Sequence, residues 1–321
     1  MPFAYVSNYS SRSISVIDIV SNTVVDTFEI NGAGNPWGVC LTPDKQILFL
    51  TMYSSGDVLV LLATGLNAGR QLGITRVGDY ATGVTVTPDG KHAYVAGYNV
   101  LSEGGDEGFL GSITQIDTTT FIAQQVIGTP PVGPGPEPGQ GTILHRPYGL
   151  AAYNGPIGQR VYIADLGWTY GTPSGGLTVV SDAHPDWGPM VPEMAPNPFN
   201  FFYSTDLAVA PSGMVYVANN SWVYPFPPNL LLGEGPSTIT AAREGRIPPP
   251  QTGILAGGPE SGQISGLAAS SSGRRIYVAH WQGGYISVIG GESGYQVIGI
   301  VMRAFSSQLA WRSRPMSSPS T

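Results

Sequence analysis

Residues 83–97, GVTVTPDGKHAYVAG, decide the fold of this chain. They hold two short segments rich in β-branched and aromatic residues, which are typical of β-strands. Between these segments lies Pro88-Asp89-Gly90. It is a turn signal, because proline presets φ, aspartate hydrogen-bonds to the nearby backbone, and glycine accepts φ > 0. This stretch therefore predicts two antiparallel strands joined by a tight turn.

The second of these strands recurs along the chain. Six segments share its pattern and begin at Ala4, Leu48, Ala93, Val161, Val215 and Ile276. Five of the six follow a first strand and a turn at a near-constant offset, and several are followed by a third and a fourth strand. A unit of four antiparallel strands, repeated about every 40 to 60 residues, is typical of a β-propeller.

A known family shares this repeat. The strands resemble those of the YVTN-repeat β-propellers, in which a Tyr-Val strand follows Pro-Asp-Gly and precedes a Val-Ile-Asp strand, here Ser13–Asp18. The resemblance covers nearly the whole chain and implies the propeller fold. It implies no single function, because the family contains scaffolds, binders and enzymes.

The two ends of the sequence complement each other. The chain begins on a second strand at Ala4 and finishes on a segment of first-strand character, Ser306–Trp311. Joining them completes a sixth blade and removes two exposed sheet edges. We therefore predict an all-β fold, a single closed β-propeller of six four-stranded blades over residues 1–312, although seven is the common YVTN number. Residues 313–321, rich in Ser and Pro, are predicted to form a flexible tail.

The composition argues against several kinds of partner and of structural feature. Charged residues make up 11% of the 321 residues and the net charge is −7, with no basic run, so nucleic acid is not an expected partner. A single cysteine, Cys40, excludes an internal disulfide and a thiolate metal cluster. No apolar run approaches the roughly 20 residues of a membrane span, and the sequence shows no leader before the strand at Ala4. As written, the chain is expected to be soluble and cytoplasmic and to bind no membrane; export stays open if a leader was removed.

Loop lengths predict one functional end of the propeller. Short turns such as Asp89-Gly90 lie at one end, and long insertions cluster at the other, at about residues 98–111, 128–144, 166–176, 181–202, 220–236 and 244–262. Aromatic residues follow the second strands or precede the first strands at this same end, namely Tyr9, Tyr53, Tyr98, Trp168, Trp222, Trp281, Trp37 and Tyr148. A concave aromatic cup is typical of a small-molecule site. The largest pocket is therefore expected at this end.

Polar residues are expected at the mouth of the central axis. Four of them are candidate acid–base groups, namely His280, Asp206, His145 and Asp165. Arg146 and Gln308 join the aromatic residues as candidate substrate-binding groups. Structural roles compete with these assignments: Asp165 as a turn cap, Asp206 as an acceptor for amides of the next strand, and His145 as a loop histidine bonded to backbone.

A divalent cation is the one cofactor left open. Asp165 and Asp206, with Asn8 and Asn219, are similar to the mixed Asp/Asn/Glu calcium site of six-bladed lactonase-type propellers such as gluconolactonase and paraoxonase. The flanking motifs do not match, so no metal ligand is assigned.

Two functions fit these features. The first is binding of a small apolar or aromatic molecule, with acid–base or metal-assisted catalysis of a lactonase-like hydrolase, a lyase or an isomerase. The second is a non-enzymatic scaffold that binds a protein partner through the same face. An enclosed pocket favours the first and a flat, filled aromatic surface the second. We favour the first, because histidine and aspartate near the axis serve no purpose on a flat interface.

Overall fold

The protein is described by a computed structural model. The residues it describes are 3–18, 23–32, 34–103, 106–128, 144, 146–155, 158–166, 176–181, 204–219, 222–226, 254–255, 264–270, 272–280, 285–291, 297–303 and 309–311. These residues form β-strands, turns and connections without a helix, so the described part has no helix able to cross a membrane. The predicted all-β class is confirmed. The predicted tail, residues 313–321, lies outside the described ranges.

The strands form six separate antiparallel sheets. Sheet 1 contains β1 (Phe3–Asn8), β2 (Ser13–Asp18), β3 (Thr23–Glu29) and β23 (Leu309–Trp311). Sheet 2 contains β4 (Pro36–Leu41), β5 (Ile47–Met52), β6 (Asp57–Leu62) and β7 (Gln71–Arg76). Sheet 3 contains β8 (Tyr80–Val86), β9 (His92–Glu103), β10 (Asp106–Asp117) and β11 (Ala123–Gly128).

The second half of the chain repeats this plan. Sheet 4 contains three described strands, β12 (Pro147–Gly155), β13 (Gly158–Asp165) and β14 (Gly176–Ser181). Sheet 5 contains β15 (Ser204–Val209), β16 (Val215–Asn219), β17 (Trp222–Phe226) and β18 (Ile254–Leu255). Sheet 6 contains β19 (Ile264–Ala269), β20 (Arg275–His280), β21 (Tyr285–Gly290) and β22 (Val297–Arg303).

The turn predicted from Pro88-Asp89-Gly90 forms by the expected mechanism. The Asp89 carboxylate accepts hydrogen bonds from the Thr87 hydroxyl at 2.6 Å and from the Lys91 amide at 3.1 Å. Gly90 adopts φ of 76°. The hydrogen bond from Thr87, followed by that from the Lys91 amide, lowers the pKa of Asp89, so the carboxylate stays charged and holds the turn.

Apolar side chains fill the space between neighbouring sheets. Each sheet packs against the next through a buried cluster, as Leu50 of sheet 2 packs with Ile14 of sheet 1. Sheet 6 packs in the same way against sheet 1, where Tyr277 and Val288 meet Ala4 and Val6. The core is thus divided among the spaces between sheets, which is why the second strands are buried on both faces.

The C-terminal strand lies beside the N-terminal strand. β23 pairs antiparallel with β1, placing Trp311 opposite Val6 and Leu309 opposite Asn8. β23 also contacts β19 of sheet 6 and β4 of sheet 2. The predicted pairing of the two chain ends is therefore present.

Three of the predicted insertions contain strands, the shortest of them β18 (Ile254–Leu255) within residues 244–262. Residues 98–103 and 106–111 belong to two long paired strands, because β9 and β10 continue their pairing until Glu103 lies opposite Asp106. Residues 222–226, inside a predicted insertion, form β17, the third strand of sheet 5. Pro225 hid this strand, since proline is rare in paired strands, but it lies beyond the two residues that pair with β18. Most of the other predicted insertions lie outside the described residues.

Candidate functional site

Six aromatic rings gather at one end of the molecule, where second strands end and first strands begin. We call them the aromatic cluster: Tyr9, Trp37, Tyr53, Tyr80, Tyr98 and Tyr148. They come from sheets 1 to 4, and five of them are half-buried while Tyr98 is only 3% exposed. The repeat explains the gathering, because equivalent positions of successive units lie side by side at the same end of their sheets.

The rings touch each other directly. Trp37 lies 5.1 Å from Tyr53 between ring centroids and meets Tyr148 edge-on at 5.8 Å. Tyr98 stacks on Tyr80 at 4.8 Å with an interplanar angle of 14°. Edge-to-face and stacked pairs of this kind add to the stability that burial provides. The cluster is therefore a packed aromatic surface.

Three tyrosine hydroxyls meet within the cluster. The Tyr53 hydroxyl lies 2.8 Å from that of Tyr98 and 3.1 Å from that of Tyr148. Both distances are within hydrogen-bonding range, and in each pair either hydroxyl can be the donor. Tyr53, Tyr98 and Tyr148, here named the tyrosine triad, thus join sheets 2, 3 and 4 through their polar ends.

The Tyr98 and Tyr148 hydroxyls of the triad stay protonated at physiological pH. Burial raises the pKa of Tyr98 well above its ordinary value, and burial also raises the pKa of Tyr148. The positive charge of the Arg146 guanidinium opposes part of the rise in the pKa of Tyr148. Tyr98 and Tyr148 therefore carry neutral hydroxyl groups, and Arg146 places a positive charge near that of Tyr148.

Asp165 holds the segment that carries Arg146 and Tyr148. Its Oδ1 accepts a hydrogen bond from the Arg146 amide at 2.9 Å, and the side chain is 3% exposed. The Leu166 amide donates to the Arg146 carbonyl at 2.9 Å. Asp165 therefore fixes the entry into β12. This is the turn-capping role that competed with its predicted acid–base role.

Asp206 bridges two sheets. It lies in β15, is 6% exposed, and accepts a hydrogen bond through Oδ2 from the Leu267 amide of β19 at 2.8 Å. A carboxylate that accepts a backbone N–H is strongly stabilised in place. The contact is the amide-accepting alternative predicted for Asp206.

His280 ends β20 as predicted, in a buried position. Its Nε2 lies 2.8 Å from the Ser287 hydroxyl of β21, and the side chain is 4% exposed. Sheets 5 and 6, which carry Asp206 and His280, pack against each other. Because both positions are expected to face the mouth of the axis, the sequence also predicts that the two side chains lie within about one water-bridged contact of each other, and this stays a prediction.

The structure brings together some of the predicted site residues. Tyr9, Trp37, Tyr53, Tyr98 and Tyr148 meet in the aromatic cluster, with Arg146 beside it. Trp222 is described at the start of β17 in sheet 5, where it is 41% exposed. His145, Trp168, Trp281 and Gln308 lie outside the described residues.

Tyr80 is a member of the aromatic cluster that was not predicted from the sequence. It begins β8, stacks on Tyr98 and lies 5.1 Å from Tyr53 between ring centroids. A signal existed, because Tyr80 stands three residues before Gly83, at the start of a first strand. The predicted aromatic residues either follow a second strand or stand directly before a first-strand glycine, and Tyr80 does neither.

The residues considered for a cation have other contacts. The Asn8 side-chain amide donates to the Ser13 and Ser15 hydroxyls at 3.1 and 2.9 Å, while Asp165 and Asp206 accept backbone amides. Within the described ranges, no three His, Cys, Asp or Glu side chains are grouped so that they could hold a metal ion.

Comparisons with known proteins identify the fold. No protein-family model and no curated protein match this sequence. A chain in the crystal structure of a nidogen/laminin complex is similar, with a TM-score of 0.63 at 9% identity over 97% of both chains. The Cps50 (Swd1) beta-propeller domain of Myceliophteria thermophila has a TM-score of 0.55 at 11% identity, over 95% of this chain and 84% of that one. The fold is a β-propeller.

A third similar structure is that of a protein whose function is unknown. It is a functionally unknown protein from Desulfotomaculum acetoxidans, with a TM-score of 0.55 at 13% identity, covering 98% of this chain and all of that one. At these identities the similarity concerns the fold, and function has to be argued from the site.

Proposed function

We propose that this chain is a closed six-bladed β-propeller of the YVTN type that binds a small apolar or aromatic molecule on its aromatic cluster. The architectural part is supported by the order of contacts. The first strands touch in the order β4, β8, β12, β15, β19 and β23, and β23 touches β4. Each of the six sheets then forms one blade, and β23 removes the free edge that β1 would otherwise present.

Deletion of residues 304–321 tests the closure. Without β23, the edge of β1 is exposed to other chains, so we expect aggregation and a lower thermal midpoint, measured by light scattering and differential scanning calorimetry. Deletion of residues 313–321 alone is the matched control and is expected to leave both unchanged. A truncated chain that lacks residues 304–321 and is as stable and monomeric as the full one would contradict closure.

The convergence of six aromatic rings carries the binding part of the proposal. Five rings are half-buried, so their remaining faces are open to a ligand, and the triad adds hydroxyl donors. Aromatic faces with a few convergent polar groups are typical of small-molecule sites. The ligand stacks on the rings and is oriented by the hydroxyls.

Binding of a neutral aromatic probe tests this part. We expect 2-naphthamide to bind in isothermal titration calorimetry, and Trp37→Leu to weaken binding about tenfold because one stacking face is lost. Tyr153→Leu is the control, since it removes an aromatic ring near the other end of β12 and outside the predicted binding residues. Absence of binding, or equal weakening by both variants, would count against the cluster as the site.

Catalysis is the further part of the proposal, as a lactonase-like hydrolase, a lyase or an isomerase. His280, Asp206, Asp165 and His145 are the proposed acid–base groups, with a divalent cation as the possible cofactor. His280→Ala is expected to lower turnover of an aromatic lactone by about two orders of magnitude or more. Unchanged turnover removes His280 from the mechanism, and a large loss of stability together with unchanged turnover marks it as a core residue.

A second candidate function is a scaffold that binds a protein partner at the same end. The observation in its favour is that the rings contact one another and the triad hydroxyls meet, which is the filled aromatic surface expected of an interface. Binding of 2-naphthamide with a dissociation constant that depends on Trp37 favours the small-molecule function. A cluster that binds no small aromatic probe favours the scaffold.

A further inference from the structure

Two Asn-Gly pairs occur in the sequence, and the structure places them in different surroundings. Asn31-Gly32 lies in the connection between β3 and β4, and Asn154-Gly155 ends β12. In an Asn-Gly pair the glycine amide nitrogen can attack the side-chain carbonyl of asparagine, because glycine has no side chain that blocks the approach. In a folded protein, this reaction depends on the freedom of the two groups to meet.

The fold leaves both reacting groups of the first pair unheld. Asn31 and Gly32 are exposed. Within the described residues, the Asn31 side-chain amide and the Gly32 backbone amide make no hydrogen bond. Gly32 adopts φ of 152°, and a Cβ built on it would meet no heavy atom within 4 Å outside the neighbouring residues. The Gly32 nitrogen and the Asn31 side-chain carbonyl are therefore free to approach each other.

The connection is held on both sides of this pair. Before the pair, the Ile30 amide donates to the Arg12 carbonyl at 2.9 Å. After the pair, the Asn35 carbonyl accepts from the Tyr53 amide at 2.8 Å, and the Asn35 side-chain amide donates to the Tyr9 carbonyl at 2.9 Å. The unheld pair thus lies between two fixed points, in the connection that leads to the aromatic cluster.

The second pair is held by a neighbouring strand. β12 pairs with β13 so that Asn154 lies opposite Gln159 and Gly155 lies opposite Gly158. A Cβ on Gly155 would lie 2.6 Å from a ring carbon of Tyr153, so the space around this glycine is crowded. Attack on the side chain requires rotation about the bond between the Cα and the carbonyl carbon of asparagine, and a paired strand opposes this rotation. Asn154 therefore reacts only when the strand end opens.

We propose that Asn31 is a site of spontaneous deamidation and that the fold protects Asn154 from the same reaction. The Gly32 nitrogen loses its proton and bonds to the Asn31 Cγ, while the side-chain nitrogen takes up a proton and leaves as ammonia. The product is a five-membered succinimide ring. A water molecule then opens the ring at either carbonyl and gives aspartate or isoaspartate. Both products add a negative charge, and isoaspartate also lengthens the main chain of the connection by one carbon atom.

Mass spectrometry of peptides from aged protein tests the proposal. The folded protein is incubated at mildly alkaline pH in heavy-oxygen water, and the exchange of the side-chain NH2 group for a labelled OH group is followed. We expect Asn31 to react about tenfold faster than Asn154 or more, because the ladder has to open locally before Asn154 can react. In urea, which unfolds both pairs, the two asparagines are expected to react at similar rates.

Two variants identify the reaction. Asn31→Gln no longer forms the five-membered ring and is expected to abolish the fast conversion. Asn31→Asp is expected to elute with the aspartate product in anion-exchange chromatography.

Three results would overturn the proposal. The first is an unconverted Asn31 in the folded protein under conditions in which the urea-unfolded chain reacts. The second is equal conversion of Asn31 and Asn154 in the folded protein, since the paired strand would then give no protection. The third is conversion of Asn31 without uptake of heavy oxygen, since opening of a succinimide by water requires that uptake.

Discussion

The first strands of sheets 2 and 3 meet the neighbouring sheets in a different way from the first strand of sheet 5. In sheets 2 and 3, Gly38 and Gly83 let the next backbone approach so closely that a Cβ on Gly83 would overlap the carbonyl oxygen of Tyr148. In sheet 5 the equivalent residue is Asp206, and its carboxylate reaches the Leu267 amide instead. Sheets 2 and 3, here called the closely packed side, are held against their neighbours by close backbone packing. Sheet 5, here called the charged side, is held by the buried Asp206 carboxylate and its amide donor. Equivalent positions of one repeat thus solve the same packing problem by opposite means.

The aromatic cluster lies over the closely packed side. Its rings come from sheets 1 to 4, where hydroxyl groups also connect neighbouring sheets. The Ser7 hydroxyl donates to the Trp37 carbonyl at 2.5 Å, and the Thr82 hydroxyl donates to the Pro147 carbonyl at 2.6 Å. These bonds fix the backbone directly beside two cluster positions. A binding surface benefits from such support, because a rigid site loses less entropy on binding.

Gly83→Ala is expected to break the closely packed side. The added Cβ overlaps backbone of sheet 4, which cannot move without shifting β12, so we expect a loss of about 3 kcal/mol in the free energy of unfolding. Gly73→Ala is the control, because its Cβ would lie 3.2 Å from a side-chain ring carbon of the partly buried Phe121 and not against backbone. Similar urea midpoints for the two variants would contradict the close approach.

Asp206→Ala is expected to break the charged side. It leaves the buried Leu267 amide without its acceptor, at a cost of about 2 kcal/mol measured by urea unfolding. Asp206→Asn keeps a carbonyl oxygen and should cost less. Asp26→Ala, at an exposed aspartate of β3, serves as control. An Asp206→Ala variant as stable as this control would show that the bridge contributes nothing.

Alkaline pH is expected to destabilise the part of the fold that carries the aromatic cluster. Burial raises the pKa of Tyr98 and Tyr148, so the folded state keeps these hydroxyls protonated while the unfolded chain ionises above pH 10. Below pH 10 these two hydroxyls make their full contribution to the free energy of unfolding. Above pH 10 that contribution falls by about 1.4 kcal/mol per group and per pH unit. Unfolding at pH 9, 10 and 11 should therefore show a shallower loss for Tyr148→Phe. An unchanged slope would refute the assignment.

Tyr53→Phe is expected to have the smallest effect. It removes the oxygen shared by both hydroxyl contacts of the triad while keeping the ring, so we expect a loss of about 1 kcal/mol in the free energy of unfolding. Tyr80→Phe is the matched control at a ring that stacks on Tyr98, and a change of a few tenths of a kcal/mol at most is expected. Indistinguishable variants would mean that the triad adds no stability.

Much of the fold could be predicted because its signals are local. The alternation of β-branched and aromatic residues marked the second strands, and Pro88-Asp89-Gly90 marked a turn that forms as expected. The errors arose where the local signal was weak. Pro225 disguised β17, and the glycines between Tyr98 and Gly111 disguised the extension of β9 and β10. Pairing with a neighbouring strand overrides such weak preferences.

The candidate site could be predicted in part. Periodicity placed Tyr9, Trp37, Tyr53 and Tyr148 at one end, and these rings do meet there. It did not show which backbone amides Asp165 and Asp206 would accept. Their partners, the Arg146 and Leu267 amides, are backbone groups that every residue type offers.

The sequence by itself determined most of the strands, the Pro88-Asp89-Gly90 turn and the end of the molecule at which Tyr9, Trp37, Tyr53 and Tyr148 lie, since these depend on neighbours a few residues away. Only the tertiary structure decided which groups touch. Tyr53 meets Tyr98 across 45 residues and Tyr148 across 95, and Asp206 meets Leu267 across 61. Such contacts depend on how whole sheets pack against each other, and the side chains of one segment carry no local record of the segment that will lie opposite them.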